Sequence, residues 1–138
     1  MTSGQKLLAG RVQKSGRIRQ LARFRYQLRK FLRFSERAAR KAGVTPQQHQ
    51  LMLGIAGFTG NGWATISDLA EFLQERHNAV VGLVERARRA GLVSKQANAS
   101  DRRVVRVELT PRGRRILEGL STLHAAEIRR FQKRALGT

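Results

Sequence analysis

Residues 66–93 read ISDLAEFLQERHNAVVGLVERARRAGLV, and residues 101–113 read DRRVVRVELTPRG. Just before and into the first stretch, Thr65-Ile66-Ser67-Asp68 has the form of a capping box. In such a box a hydroxyl covers the free N–H groups of a new helix and a carboxylate reaches back from its third position. The helix so opened runs to about Leu73, the polar residues Gln74-Glu75-Arg76-His77 break it, and a second helix runs from Asn78 to Ala90 until Gly91 ends it. Leu69, Leu73, Val80, Leu83 and Val84 recur at helical spacing and are the expected core between the two. After Gly91 the period shortens. Leu92–Lys95 and Val104–Leu109 read as strands, the second alternating at Val105, Val107 and Leu109, and Ala97–Arg102 has the composition of a hairpin loop.

Upstream, Thr45-Pro46 opens a helix from Gln47 to about Ala56, with Thr45 as the cap and proline in the first turn. Gly57, Gly60, Asn61 and Gly62 then make a loop. From Arg17 to about Ala42 the apolar residues Ile18, Leu21, Phe24, Leu28, Phe31 and Leu32 follow at intervals of mostly three and four, which predicts one long amphipathic helix stopped by Gly43. Residues 1–16, with glycines and serines among scattered Lys and Arg, read as a flexible basic arm. Downstream, Thr110-Pro111 caps a last helix that carries Ile116, Leu117, Leu120, Leu123, Ile128 and Phe131.

The expected fold is mostly α with a small β-hairpin. Two short helices joined by a tight turn and followed by a hairpin describe a winged helix-turn-helix. The expected organisation is a single domain over 17–138, with a DNA-binding lobe at 44–110 and helices at 17–42 and 111–138 forming a dimerisation layer. A helix of about 25 residues outruns the small lobe beside it, so its stripe Ile18, Leu21, Leu28, Leu32 reads as dimer interface together with Leu117, Leu120 and Ile128. The bland alternative is that the stripe is core of a monomer.

The charge points to the partner. Lys and Arg number 28 against 9 Asp and Glu, a net +19 over 138 residues, and nucleic acid is the commonest polyanion such a chain meets. Residues 1–42 hold 13 basic and 1 acidic residue, whereas residues 43–93 hold 4 of each. Without cysteine, disulfides, thiolate zinc sites and thiol redox sensing are excluded. Hydrophobic residues make up 41% of the chain, enough for a core, yet no apolar run approaches the ~20 residues that span a bilayer. The expected compartment is cytoplasmic.

The stretch 66–93 resembles the helix-turn-helix of MarR-type regulators. Asp101-Arg102-Arg103 followed by Val107-Glu108-Leu109-Thr110-Pro111-Arg112-Gly113 resembles their wing signature, D-x-R and then V-x-L-T-x-x-G, and Val44–Gln48 resembles the start of their second helix. The resemblance implies a dimeric regulator of transcription that binds double-stranded DNA and is not an enzyme. It places a wing arginine, here Arg103 with Arg102 beside it, in the minor groove, and gives Asp101 the task of positioning that arginine or tightening the loop. At the solvent end of the recognition helix Arg76, His77, Asn78 and Val81 are expected to meet DNA, since Asn pairs bidentately with adenine and Val meets a thymine methyl. Thr45 and Arg86 complete the expected contacts. Gly82, costly in mid-helix, is read as allowing close approach to DNA or to a neighbouring helix. Relatives often bind aromatic acids, which implies a small aromatic or anionic effector in a crevice lined by His49, Phe58 and Trp63. This chain departs from the family in two places. The turn reads Leu73-Gln74-Glu75 where many relatives carry Gly, and the 28 residues after Thr110 accommodate one C-terminal helix where the family usually has two.

Each sharp reading has a plain one beside it. Arg102 and Arg103 are also ordinary hairpin-tip charges, His77 and Asn78 ordinary capping residues, and Trp63 an ordinary loop anchor. His49 and His124 stand far apart with no ligand pattern around them, so neither metal nor cofactor is expected. Catalysis finds no G-x-S-x-G, phosphate-binding glycine loop or paired carboxylates in an apolar setting. The competing function is a nonspecific architectural nucleic-acid-binding protein.

Overall fold

A computed structural model describes residues 2–137; Met1 and Thr138, the ends of the expected arm and domain, lie outside the described residues. The order of elements is α1 (Ser3–Lys41), α2 (Pro46–Leu53) running into a π-helical turn (Gly54–Phe58), β1 (Trp63–Ala64), α3 (Ile66–Leu73) and α4 (His77–Arg89). Then come β2 (Val93–Ala97), β3 (Val105–Leu109) and α5 (Pro111–Phe131), which ends in a second π-helical turn (Gln132–Leu136). The chain forms two compact units, Met1–Ser35 with His124–Thr138, and Glu36–Leu123.

The larger unit is the winged helix. The capping box expected at Thr65 forms, and the cap expected at Thr45 is a second such box. Thr45 Oγ1 accepts from Gln48 N while Gln48 Oε1 accepts from Thr45 N, and Thr65 and Asp68 repeat the arrangement. Gly43 and Gly91 take the left-handed backbone that ends a helix cleanly, at φ +86° and +76°. The three strands lie in the order β1-β3-β2, all antiparallel, with Val93 opposite Leu109 and Lys95 opposite Val107. The core gathers Leu51, Met52 and Ile55 from α2 and its turn, Leu69 from α3, Val80, Leu83, Val84 and Ala87 from α4, and Leu92, Val93 and Val107 from the hairpin.

Ala38 and Ala39 at the end of α1, and Leu117 and Leu120 in α5, also belong to this core. The lobe therefore reaches beyond 44–110 on both sides. The expectation that Leu117 and Leu120 face a partner is corrected, because at 7% and 1% exposure both are buried within the protomer.

The smaller unit holds the rest of α1 and α5. Phe24 and Phe31 lie against Phe131 with ring centroids 5.7 and 5.6 Å apart. His124 is buried with its Nε2 2.9 Å from Ser35 Oγ, beside the rings of Phe31 and Phe34. The helix begins at Ser3, which corrects the arm read for residues 1–16. Thr2 and Gln5 bond reciprocally, each side chain to the other's N–H, and cap the first turn. Gln5, Lys6, Leu7, Leu8, Arg11, Gln13 and Lys14 are good helix formers that extend a helix already nucleated, and together they offset the ~1 kcal/mol each of Gly4, Gly10 and Gly16. Ile18, Leu21, Leu32 and Ile128 stand exposed in this unit. Among the described residues no helix is long and apolar enough to cross a membrane.

Candidate nucleic-acid interface

Helix α3 positions α4 through a three-residue turn. Gln74 takes the left-handed conformation at φ 53° and its backbone N–H reaches Ala70 and Glu71 carbonyls. The strain this places on a residue with a side chain is partly offset by a 2.7 Å hydrogen bond from Gln74 Nε2 to Glu71 O. The chain then turns through extended Arg76 into α4.

Val80, Leu83, Val84 and Ala87 point α4's apolar face into the core, which leaves Arg76, His77, Asn78, Val81 and Arg86 exposed on the other. The Asn78 amide makes no hydrogen bond among the described residues, so both of its halves remain available to a base edge. A Cβ at Gly82 would meet only the tip of Arg86, at 3.3 Å. Packing inside the protomer therefore does not demand glycine at this half-buried position. Thr45 is exposed, with its hydroxyl oxygen engaged in capping α2.

At the wing, Asp101 does both things expected of it. Its Oδ1 accepts from Arg103 N at 3.0 Å, closing the turn, and from Arg103 Nε at 3.2 Å, orienting the guanidinium. The side chain of Arg103 is 91% exposed. Asn98 steadies the same loop by accepting from Ser100 N, and Asn98 N donates to Val104 O. Arg102 is exposed beside Arg103.

A link between helix and wing was not anticipated from the sequence. Glu85 accepts from Arg88 at 2.6 Å and 3.0 Å, lies 3.5 Å from Arg89, and reaches Lys95 on β2 at 3.4 Å. The Arg88 hydrogen bonds, helped by Lys95, hold the Glu85 carboxyl down at about 2, so its charge persists at every pH of interest for DNA binding. The spacing of Glu85 to Arg88 and Arg89 was visible in the sequence. The pairing with Lys95 needs the sheet.

The three residues read as an effector crevice have different settings. His49 is buried in α2, Phe58 packs on Phe72 with centroids 5.2 Å apart, and Trp63 lies on β1 under the guanidinium of Arg106, 3.9 Å from the ring centre. The Trp63 contact is that of a loop anchor, fixed further by pairing with Glu108. Among the described residues no cluster of His, Asp and Glu could hold a metal ion.

Residues 42–104 match the model of the MarR family. The chain is 32% identical over 73 residues to the HTH-type transcriptional repressor MdtR of Bacillus subtilis, a match that covers 53% of this chain but only 45% of that protein. A crystal structure of a MarR family transcription regulator superposes with a TM-score of 0.77 at 25% identity, covering 91% of this chain and 81% of the other. The fold is shared as well with a MarR mutant from E. coli complexed with operator DNA, with a TM-score of 0.66, 22% identity and coverage of 79% and 76%. The relatives named are transcription regulators. Family match and fold meet on the winged helix-turn-helix lobe, and over residues 42–104 this chain is similar to the MarR family.

Proposed function

We propose that the chain is a sequence-specific, double-stranded DNA-binding transcription regulator that works as a dimer. One observation carries the reading: α4, with one face locked in the core, leaves His77, Asn78, Val81 and Arg86 exposed behind its exposed N-cap Arg76, and the same lobe presents Arg103 on a wing loop closed by Asp101. Helix α4 has the placement of a major-groove reader, and a braced, exposed arginine suits a narrow minor groove. A regulator of this class discriminates its site from random duplex by ~10³-fold or more. Selection of bound duplexes from a random pool at physiological salt tests this. A recurring pseudo-palindrome supports the reading, and an unenriched pool hands the chain to the architectural alternative.

Support for a dimer comes from the smaller unit. Ile18, Leu21, Leu32 and Ile128 leave large apolar surface in water, and half-buried Leu28 lies on the same side of α1 as Leu21 and Leu32. A second copy laid on this surface removes it from water and gives the two lobes the two-fold relation that a pseudo-palindrome requires. Sedimentation equilibrium at micromolar concentration is expected to return a dimer for the native chain and a monomer for the Leu28→Glu, Leu32→Glu variant. A native monomer defeats the dimer reading.

A further inference from the structure

On α1, Arg19, Arg23, Tyr26, Lys30 and Arg33 recur at intervals of four, three, four and three, which sets them in one line along the helix. All five are exposed, and the Lys30 ammonium lies over the Tyr26 ring, 5.4 Å from its centre. At 1.5 Å per residue the line is about 21 Å long. Among the described residues none of its cations forms an ion pair. The described ion pairs involve Glu85, Asp101 and Glu127, all elsewhere, and Glu36 is the one acidic residue before Asp68.

Such a line is costly when nothing covers it. Arg19 and Arg23 are like charges four residues apart and Lys30 and Arg33 three apart, spacings that weaken a helix unless a counter-charge intervenes. An ordinary solvated helix face interleaves the two signs, and this one does not. We infer that this face of α1 is a second nucleic-acid surface, one that grips the phosphate backbone of a DNA duplex without reading bases. Duplex DNA carries one charge per ~1.7 Å of axis, so about a dozen phosphates lie along 21 Å of it, ample for four cations. A membrane surface fits less well. A helix that lies in a bilayer interface buries an apolar strip bordered by its basic residues. Here Leu21, Leu28 and Leu32 stand two residues out of step with the cations, close to the opposite side of the helix. The inference needs no sequence preference, and so it does not depend on the function proposed above.

The test uses the full chain and a mixed-sequence 30-base-pair duplex, with affinity followed by fluorescence anisotropy between about 50 and 200 mM salt. Each lost phosphate contact lowers the slope of log K against log salt by about 0.9. The variant Arg19→Gln, Arg23→Gln, Lys30→Gln, Arg33→Gln is expected to have a slope shallower by about 2 to 3.6, equivalent to a change of roughly 15- to 150-fold across that salt range. Glutamine is a good helix former, and a matching variant with Arg→Lys at 19, 23 and 33 keeps the slope if charge is what matters. An unchanged slope in the Gln variant overturns the proposal. So does a variant that loses binding to phosphatidylserine vesicles while its duplex slope stays the same, which assigns the face to a membrane. Should the variant fail to fold, the native chain still decides the matter. Duplex is expected to protect Arg19, Arg23 and Arg33 from phenylglyoxal, and full modification in its presence sinks the idea. Selection from a random pool reports on α4 and the wing, so a failure there and a failure here are separate results.

Discussion

Replacing Gly113 with alanine is expected to cost about 3 kcal/mol or more of stability and to lower the melting temperature by roughly 10 °C or more. A Cβ at this position would lie 2.1 Å from the carbonyl oxygen of Leu92 and 3.1 Å from its carbonyl carbon. That obstacle is backbone and is fixed from several sides. Leu92 O accepts from Thr110 N, Leu92 N donates to Ala87 O, and the neighbouring Val93 pairs with Leu109. Leu92 is itself buried in the core. Relief has to come from withdrawing the first turn of α5, which breaks the cap in which Gly113 N donates to Thr110 Oγ1 and that hydroxyl donates to Gly91 O. The glycine of the L-T-x-x-G signature thus has a physical reason: it lets α5 start against the strand that follows α4. Gly119 in the same helix is the control. Nothing lies within 4 Å of its missing Cβ, so Gly119→Ala is expected to stabilise by about 0.5–1 kcal/mol through helix propensity. Thermal unfolding followed by circular dichroism compares the two, and similar melting temperatures would refute the packing described for Gly113.

The helix-turn-helix and wing were legible in the sequence because local chemistry and global fold agree there. The boxes at Thr45 and Thr65, the left-handed glycines 43 and 91, and the alternation of Val105, Val107 and Leu109 each announce their element without knowledge of the rest. What stayed hidden depends on distant partners. The strand at Trp63–Ala64 is two residues long and has no period of its own; it exists because β3 offers an edge to pair with. Leu117 and Leu120 show the limit of a stripe. The spacing identifies an apolar face, but it does not say whether that face meets its own protomer or a second one, and here the protomer takes both residues. At the N-terminus, glycines were weighed too heavily against good helix formers already linked to a long helix. The Glu85–Lys95 link joins a helix to a strand and needed the fold before it could be seen. The candidate interface residues were chosen by position in the motif; Arg76, His77, Asn78, Val81 and Arg86 are each exposed, and Arg103 stands on a loop that Asp101 closes.

The two ends of that interface are expected to fail differently when cut back. Asn78 lies in the first turn of α4, exposed and without a side-chain hydrogen bond among the described residues, so its amide can give both a donor and an acceptor to adenine. Asn78→Ala is expected to cost about 1–3 kcal/mol on the selected site, roughly 5- to 150-fold in affinity, and to relax preference at one or two base pairs of each half-site. Its effect on random duplex should be small, because an amide has no charge with which to hold phosphate. Arg103 carries charge, and Asp101 Oδ1 accepts from its Nε at 3.2 Å. Narrow A/T-rich minor grooves concentrate negative potential, so the loss on Arg103→Ala should be greater on sites with A/T flanks than on the same site with G/C flanks. Four titrations suffice: each variant on each flank, compared with the native chain at one salt concentration. If Arg103→Ala loses equally on both flanks, the arginine serves as a plain phosphate contact and the groove-width reading is wrong. If Asn78→Ala weakens all sequences alike, α4 is not the base-reading helix, and recognition by this lobe reduces to charge.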